Sequence, residues 1–124
     1  MKVILIILVM VYIAGLAYGW NAQPYIHAVL GEARSEGFKG MYAIAHAIRN
    51  RGTLVGVYGA KTRFIEPWHV HAKGALAWIL SGLGPDTTKG STHWENVEAF
   101  GMPYWSQGVK HRAKVGRHVF WRLH

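Results

Sequence analysis

The chain has 124 residues, with 14 Lys and Arg against 6 Asp and Glu, and it has no cysteine. That length allows one domain, or one domain plus a targeting segment; the lack of cysteine excludes a disulfide framework and thiolate chemistry. A formal net charge of +8 favours a polyanionic partner, although solubility alone would also account for it.

The N-terminus carries much of the hydrophobic excess. Met1-Lys2 precedes an apolar run from Val3 to Trp20, and no further charge appears before Glu32. One lysine, an apolar stretch and small residues at Ala17 and Gly19 predict a secretory signal peptide over 1–19, cut after Gly19 or after Ala17. The rivals are an uncleaved anchor, since roughly 18 apolar residues just span a bilayer, and an anchor that later leaves the membrane. All three export residues 20–124 to the periplasm, cell wall or exterior. There, cell-wall polymer or an anionic membrane surface is a more accessible polyanion than nucleic acid, and residues 3–20 offer a membrane association.

From Asn21 the elements follow in order. Asn21 suits an N-cap and Pro24 a first helical turn. Ile26, Val29, Leu30 and Ala33 fall at the spacing of one buried helical face, predicting a helix to about Arg34. Met41, Ile44, Ala45 and Ile48 repeat it and predict a second helix from Gly40 to Arg51, stopped by Gly52. Gly52 to Pro67 reads as loop with short helical turns. After Pro67, Ala72, Ala75, Leu76 and Ile79 define the inward face of a third helix, ended by Ser81-Gly82 and Gly84-Pro85. Gly84 to Gly90 is turn chemistry. Ser91 to Asn96 and Val115 to Leu123 read as an antiparallel strand pair bridged by 97–114, the second strand covered on both faces. The expected class is α+β: mainly helical, with a small antiparallel sheet near the C-terminus.

Chemistry concentrates in Gly31-Glu32-Ala33-Arg34-Ser35-Glu36-Gly37. Glu32 falls in the last turn of the first helix, where the negative end of the helix dipole disfavours the ionised carboxylate and predicts a raised pKa. A carboxyl kept protonated near neutral pH is what a general acid needs. On a continuous helix Glu36 would be its neighbour, but Ser35 and Gly37 predict a helix stop between them, leaving Arg34 and Glu36 as an ion pair that fixes the turn. The histidines, among them His69 and His71, lack an acidic partner at metal-ligand spacing, so no metal and no cofactor is expected. Phe120 and Trp121 are assigned to the core, and Trp94 or Trp105 to a cleft wall.

The order of these pieces resembles the SleB/CwlJ cell-wall hydrolases, the family that includes the catalytic domains of spore cortex-lytic enzymes. The resemblance is carried by Gly31 to Gly37, Gly40 to Arg51, Gly56-Val57, Asp86 to Asn96, Trp105 and Gly116 to Trp121. It implies a lysozyme-like catalytic domain over 20–124 that cleaves peptidoglycan glycan strands between N-acetylmuramic acid and N-acetylglucosamine. It further implies lytic transglycosylase chemistry giving a 1,6-anhydro end, with Glu32 as acid/base. Hydrolysis of the same bond by water is the nearest rival. A catalytically inert wall- or membrane-binding protein on the same fold, and a histidine-based metal amidase, are others. Within the resemblance Thr92, His93 and Asn96 are expected to hold N-acetyl groups or ring hydroxyls, Trp105 to line the substrate cleft, and Glu36 to support the substrate side. The sequence departs from the family at Ser35, usually Gly, at Arg63-Phe64-Ile65, where Gln-Phe-Ser is common, and after Asn96, where the usual Pro is missing.

Overall fold

A computed structural model of the chain describes residues 2–7, 9–10, 22–61 and 67–123. The expected processing positions Ala17 and Gly19, the expected cap Asn21 and the departure at Arg63-Phe64-Ile65 lie outside the described residues. Residues 2–7 and 9–10 are helical and exposed, and no helix among the described residues is long and apolar enough to cross a membrane.

The fold is α+β. Helix α1 spans Gln23–Ala33, with Pro24 in its first turn and Ala22 at the cap position. Its expected face is the buried one: Ile26, Val29, Leu30 and Ala33 are at most 6% exposed. A 3-10 turn, Arg34–Glu36, leads straight into α2, Gly37–Arg51. This helix begins at Gly37 rather than Gly40, because Gly37 takes φ 73° and reverses the chain at once, a conformation that costs glycine little. Met41, Ile44, Ala45 and Ile48 are buried as their spacing predicts. Gly52 at φ 75° closes the helix with its N–H on the Ile48 carbonyl, a left-handed C-cap.

Helix α3 spans Trp68–Ser81, but it turns a different face inward from the expected one. Gly74, Ala75, Ala77, Trp78 and Ser81 are buried, while Ala72, Leu76 and Ile79 are only partly covered. The reason is Trp78. Its ring stacks on Tyr25 at 4.7 Å and lies beneath the Arg49 guanidinium at 4.2 Å, while Arg49 also hydrogen-bonds the Trp78 carbonyl. One large ring fixed between α1 and α2 outweighs Ala72, Leu76 and Ile79 in setting the helix rotation.

The expected second strand, Val115 to Leu123, holds one strand and only the end of a further one that begins in the expected bridge. β1 is His93–Asn96, β2 Ala113–Val115 and β3 His118–Trp121, in the antiparallel order β1-β3-β2. The break falls at Gly116-Arg117, where Gly116 has φ 59° and makes the hairpin turn. Register pairs Trp94 with Phe120 and Asn96 with His118. Both faces of β3 are covered, as its two rows of rings predict: Phe120 joins the helical core, and Trp121 lies under Trp105 at 5.1 Å. Between β1 and β2, Asn96 caps the short helix α4, Val97–Phe100, by accepting the Ala99 N–H.

The turn before β1 is tied to the end of α2. Asp86 accepts hydrogen bonds from Thr88 N and Oγ1, Gly90 N and Asn50 Nδ2 at 2.6–2.9 Å, and Asn50 also donates to the Ser91 carbonyl. Burial pushes the Asp86 carboxyl up, but the donors from Thr88, Asn50 and Gly90 outweigh it and hold the group below its usual value. Next to it, His46 is pushed below its ordinary pKa by burial and by Arg49, against the pull of Asp86. This network fixes where β1 leaves the helical layer, and so where Trp94 points.

Candidate active site

Glu32 is the penultimate residue of α1, partly buried, with one donor on each carboxylate oxygen. Oε1 accepts the Gly59 backbone N–H at 2.9 Å, and Oε2 accepts the Trp94 indole N–H at 3.2 Å. Both donors come from distant segments: the 3-10 turn Tyr58–Lys61 and strand β1. The first contact depends on two glycines. A Cβ on Gly31 would lie 2.3 Å from the Gly59 carbonyl oxygen, and one on Gly59 would lie 2.8 Å from Glu32 Cγ. Only bare backbone on both sides lets the turn come close enough to present its N–H. Trp94 packs against the core and holds the second donor, while the Arg51 guanidinium lies 5.8 Å from its ring centroid.

Glu32 opens into a cleft of about 470 Å³ lined by Gly31, Glu32, Tyr58, Gly59, Glu95 and Phe100. Each carboxylate oxygen spends one acceptor position on its protein donor and keeps another for a ligand. The arrangement orients one carboxyl against an open, partly apolar hollow, where it can exchange a proton or a hydrogen bond with a bound ligand. Glu95 brings a second carboxylate, with Oε1 accepting its neighbour Asn96's N–H at 3.0 Å.

The other expected site residues do not line this cleft. Thr92 and His93 line a second hollow of about 360 Å³ with Asn50, Arg51, Thr53, Val55 and Leu123. The Thr92 hydroxyl is bonded to His93 Nδ1 and to the backbone of Leu123, strapping β1 to the end of β3. Asn96 spends its side-chain oxygen on the α4 cap. Trp105 packs edge-on between His93 and Trp121. Glu36 turns away to the β2–β3 hairpin, where its side chain is 7% exposed. Its Oε1 accepts the Arg117 N–H at 2.6 Å, and its Oε2 faces His118 Nδ1 in close contact. The Glu36 carboxylate thus reaches the β2–β3 hairpin, whereas the expected partner was Arg34. Gly116 leaves the space for it, since a Cβ there would meet Glu36 Oε1 at 2.6 Å.

The histidines on α1 and α3 meet as a pair: His27 and His71 stand edge-on at 5.8 Å. Burial, then the neighbouring His27, lowers the His71 pKa. Among the described residues no group of three or more His, Cys, Asp or Glu side chains is placed to hold a metal ion.

Set against family models, curated proteins and solved structures, the chain matches none of them.

Tyr58, Gly59, Glu95 and Phe100 are site residues that sequence reasoning passed over. Gly59 had a faint signal, as the third glycine of a segment with no other periodicity. Glu95 had one in its place on a short strand within the same motif that supplied Trp94. Nothing in the sequence marked Tyr58 or Phe100.

Proposed function

We propose that this chain is an exported enzyme that cleaves peptidoglycan glycan strands at the bond between N-acetylmuramic acid and N-acetylglucosamine, on a lysozyme-like domain with Glu32 as acid/base. The observation that carries this reading is the Glu32 carboxyl, held by one donor on each oxygen and open to a cleft. Protonated Glu32 donates to the glycosidic oxygen as the C1–O4 bond breaks through an oxocarbenium-like state. The resulting carboxylate then takes the proton of the muramic acid C6 hydroxyl, whose oxygen bonds to C1 and closes a 1,6-anhydro ring. Glu32 ends protonated, as it began, and no second catalytic group is needed. The sequence resemblance to SleB/CwlJ enzymes supports the same assignment.

A second reading is favoured by Glu95, which lines the same cleft. As a carboxylate it would take a proton from water whose oxygen attacks C1, giving hydrolysis in place of ring closure. Mass spectrometry of muropeptides released from purified sacculi separates the two, because the hydrolytic product carries one more water. The test of the shared assignment is Glu32→Gln, which keeps the acceptor for Trp94 or Gly59 but cannot cycle a proton. Release of soluble muropeptides should fall by about 10²–10⁴-fold with the near-ultraviolet circular dichroism unchanged. A variant that solubilises sacculi at the wild-type rate would refute the role of Glu32.

A further inference from the structure

We infer that Tyr58 and Phe100 form an aromatic clamp at the rim of the Glu32 cleft that stacks on the apolar faces of neutral N-acetylhexosamine rings. The inference rests on the reading of the cleft as a glycan site and names the part of the polymer that it grips. Tyr58 is 80% exposed and Phe100 77% exposed, yet both line the same hollow as Glu32. Large rings left this open forgo the stabilisation that burial would bring, and two of them at one cleft mark a surface that a ligand covers. They are presented by separate, anchored elements. Tyr58 opens the 3-10 turn that is pressed against Gly31 and donates the Gly59 N–H to Glu32. Phe100 ends α4, which is fixed at its start by the Asn96 cap and closed by the Gly101 N–H on the Val97 carbonyl.

Charge then selects the ligand class. The chain carries 14 Lys and Arg against 6 Asp and Glu, but among the described residues the cleft lining holds two carboxyl side chains, Glu32 and Glu95, and no Lys or Arg. Such a hollow offers no cationic partner to the carboxylates of a lactyl group or a stem peptide. A purely apolar peptide would cover the rings but bring Glu95 no donor beyond the Asn96 N–H. A neutral hexosamine ring meets both demands, because its C–H faces lie on aromatic rings and its hydroxyl and amide N–H groups donate to carboxylates. The basic surface elsewhere is left to attract the anionic polymer over longer range.

The experiment is calorimetric titration of the full-length Glu32→Gln protein with chitohexaose, an uncharged oligomer of N-acetylglucosamine, at low and at high salt. Saturable binding is expected, with an affinity that hardly changes with salt. Adding Tyr58→Ala or Phe100→Ala should weaken it by about tenfold or more, and Phe100→Trp should retain it. In the wild-type background the two alanine variants should raise KM for sacculi more than they lower kcat. Both rings are exposed, so these variants should fold, which circular dichroism checks. Undiminished binding in both alanine variants would overturn the clamp, as would an affinity that collapses in high salt. Failure to bind chitohexaose, while wild-type protein still cleaves sacculi through Glu32, would remove the clamp and leave the enzyme assignment standing. A wild-type protein that neither binds chitohexaose nor cleaves sacculi would remove both.

Discussion

Glu32 and Glu36 sit at the two ends of one short turn, and the rest of the chain treats them in opposite ways. Glu32 receives neutral N–H donors from Gly59 and Trp94 and opens into the cleft. Glu36 is closed in by the β2–β3 hairpin, with His118 on one oxygen and the Arg117 N–H on the other. One carboxylate is held and left accessible; the other is held and covered. Glu32 lies in the last turn of α1 and Glu36 at the end of the 3-10 turn, but backbone alone does not set their difference in accessibility. It comes from which distant segment reaches each one.

The largest effects test that division directly. Glu36→Ala leaves His118 buried without its partner and empties the space that Gly116 provides, so a loss of about 3–5 kcal/mol in unfolding free energy is expected. Urea denaturation followed by circular dichroism measures it, and a loss under about 1 kcal/mol would show that the latch contributes little beyond a surface pair. Glu32→Gln should do the reverse, sparing stability and cutting turnover by about 10²–10⁴-fold. Should Glu32→Gln destabilise as much as Glu36→Ala, the two ends of the turn would be structurally alike and the contrast would fail.

A smaller effect is expected where the two roles meet. Gly31→Ala places a methyl group against the Gly59 carbonyl at 2.3 Å and must push the turn away from Glu32. Overpacking of this kind costs about 1–3 kcal/mol, and activity should fall further than stability because the Gly59 donor moves with the turn. Comparison of melting temperature with sacculus lysis separates the two losses; lysis at the wild-type rate would mean that this donor is dispensable.

Acid should weaken the scaffold in two stages. His46 and His71 lie below their ordinary pKa of 6.5, chiefly through burial. The folded protein therefore binds fewer protons than the unfolded chain below that pH, and the stability lost begins near 6.5 and grows until the folded values are passed. Asp86 is held below its ordinary 3.8 despite burial, by its Thr88, Asn50 and Gly90 donors. Its contribution is complete above about pH 4 and is lost as pH falls through the depressed folded value. Unfolding midpoints measured from neutral pH downward should show both declines, and Asp86→Asn should flatten the second. The smallest effect belongs to Lys114 and Glu98, an ion pair whose side chains are 57% and 59% exposed. Lys114→Ala should shift stability by no more than about 0.5 kcal/mol.

What could be read from sequence follows the range of the interactions involved. The buried faces of α1 and α2 were legible because several aliphatic residues repeat at helical spacing, a local signal. The helix stop after Ala33, and with it the separation of Glu32 from Glu36, was legible from Ser35 and Gly37. The inward face of α3 was not, because a single ring, Trp78, decides it through Tyr25 and Arg49, which lie on other helices. The hairpin at Gly116 was missed because β2 is only three residues long and most of it precedes the alternating stretch 118–123. At the site, Glu32 stood out by its place at a helix end. Tyr58, Glu95 and Phe100 gained their positions only from the packing of the turn, β1 and α4 around α1, which no spacing rule encodes.

The two donors on Glu32 also carry a consequence for the order in which the protein becomes competent. They come from residues 27 and 62 positions further along the chain, so helix α1 can form early while its carboxyl still has no fixed direction. Contacts of such sequence separation close late in folding. A nascent or partly refolded chain therefore carries Glu32 without the frame that aims it, and lytic activity in a refolding time course should return with the slowest structural phase. By this arrangement the carboxyl would stay unaimed until the Tyr58–Lys61 turn and β1 are both in place.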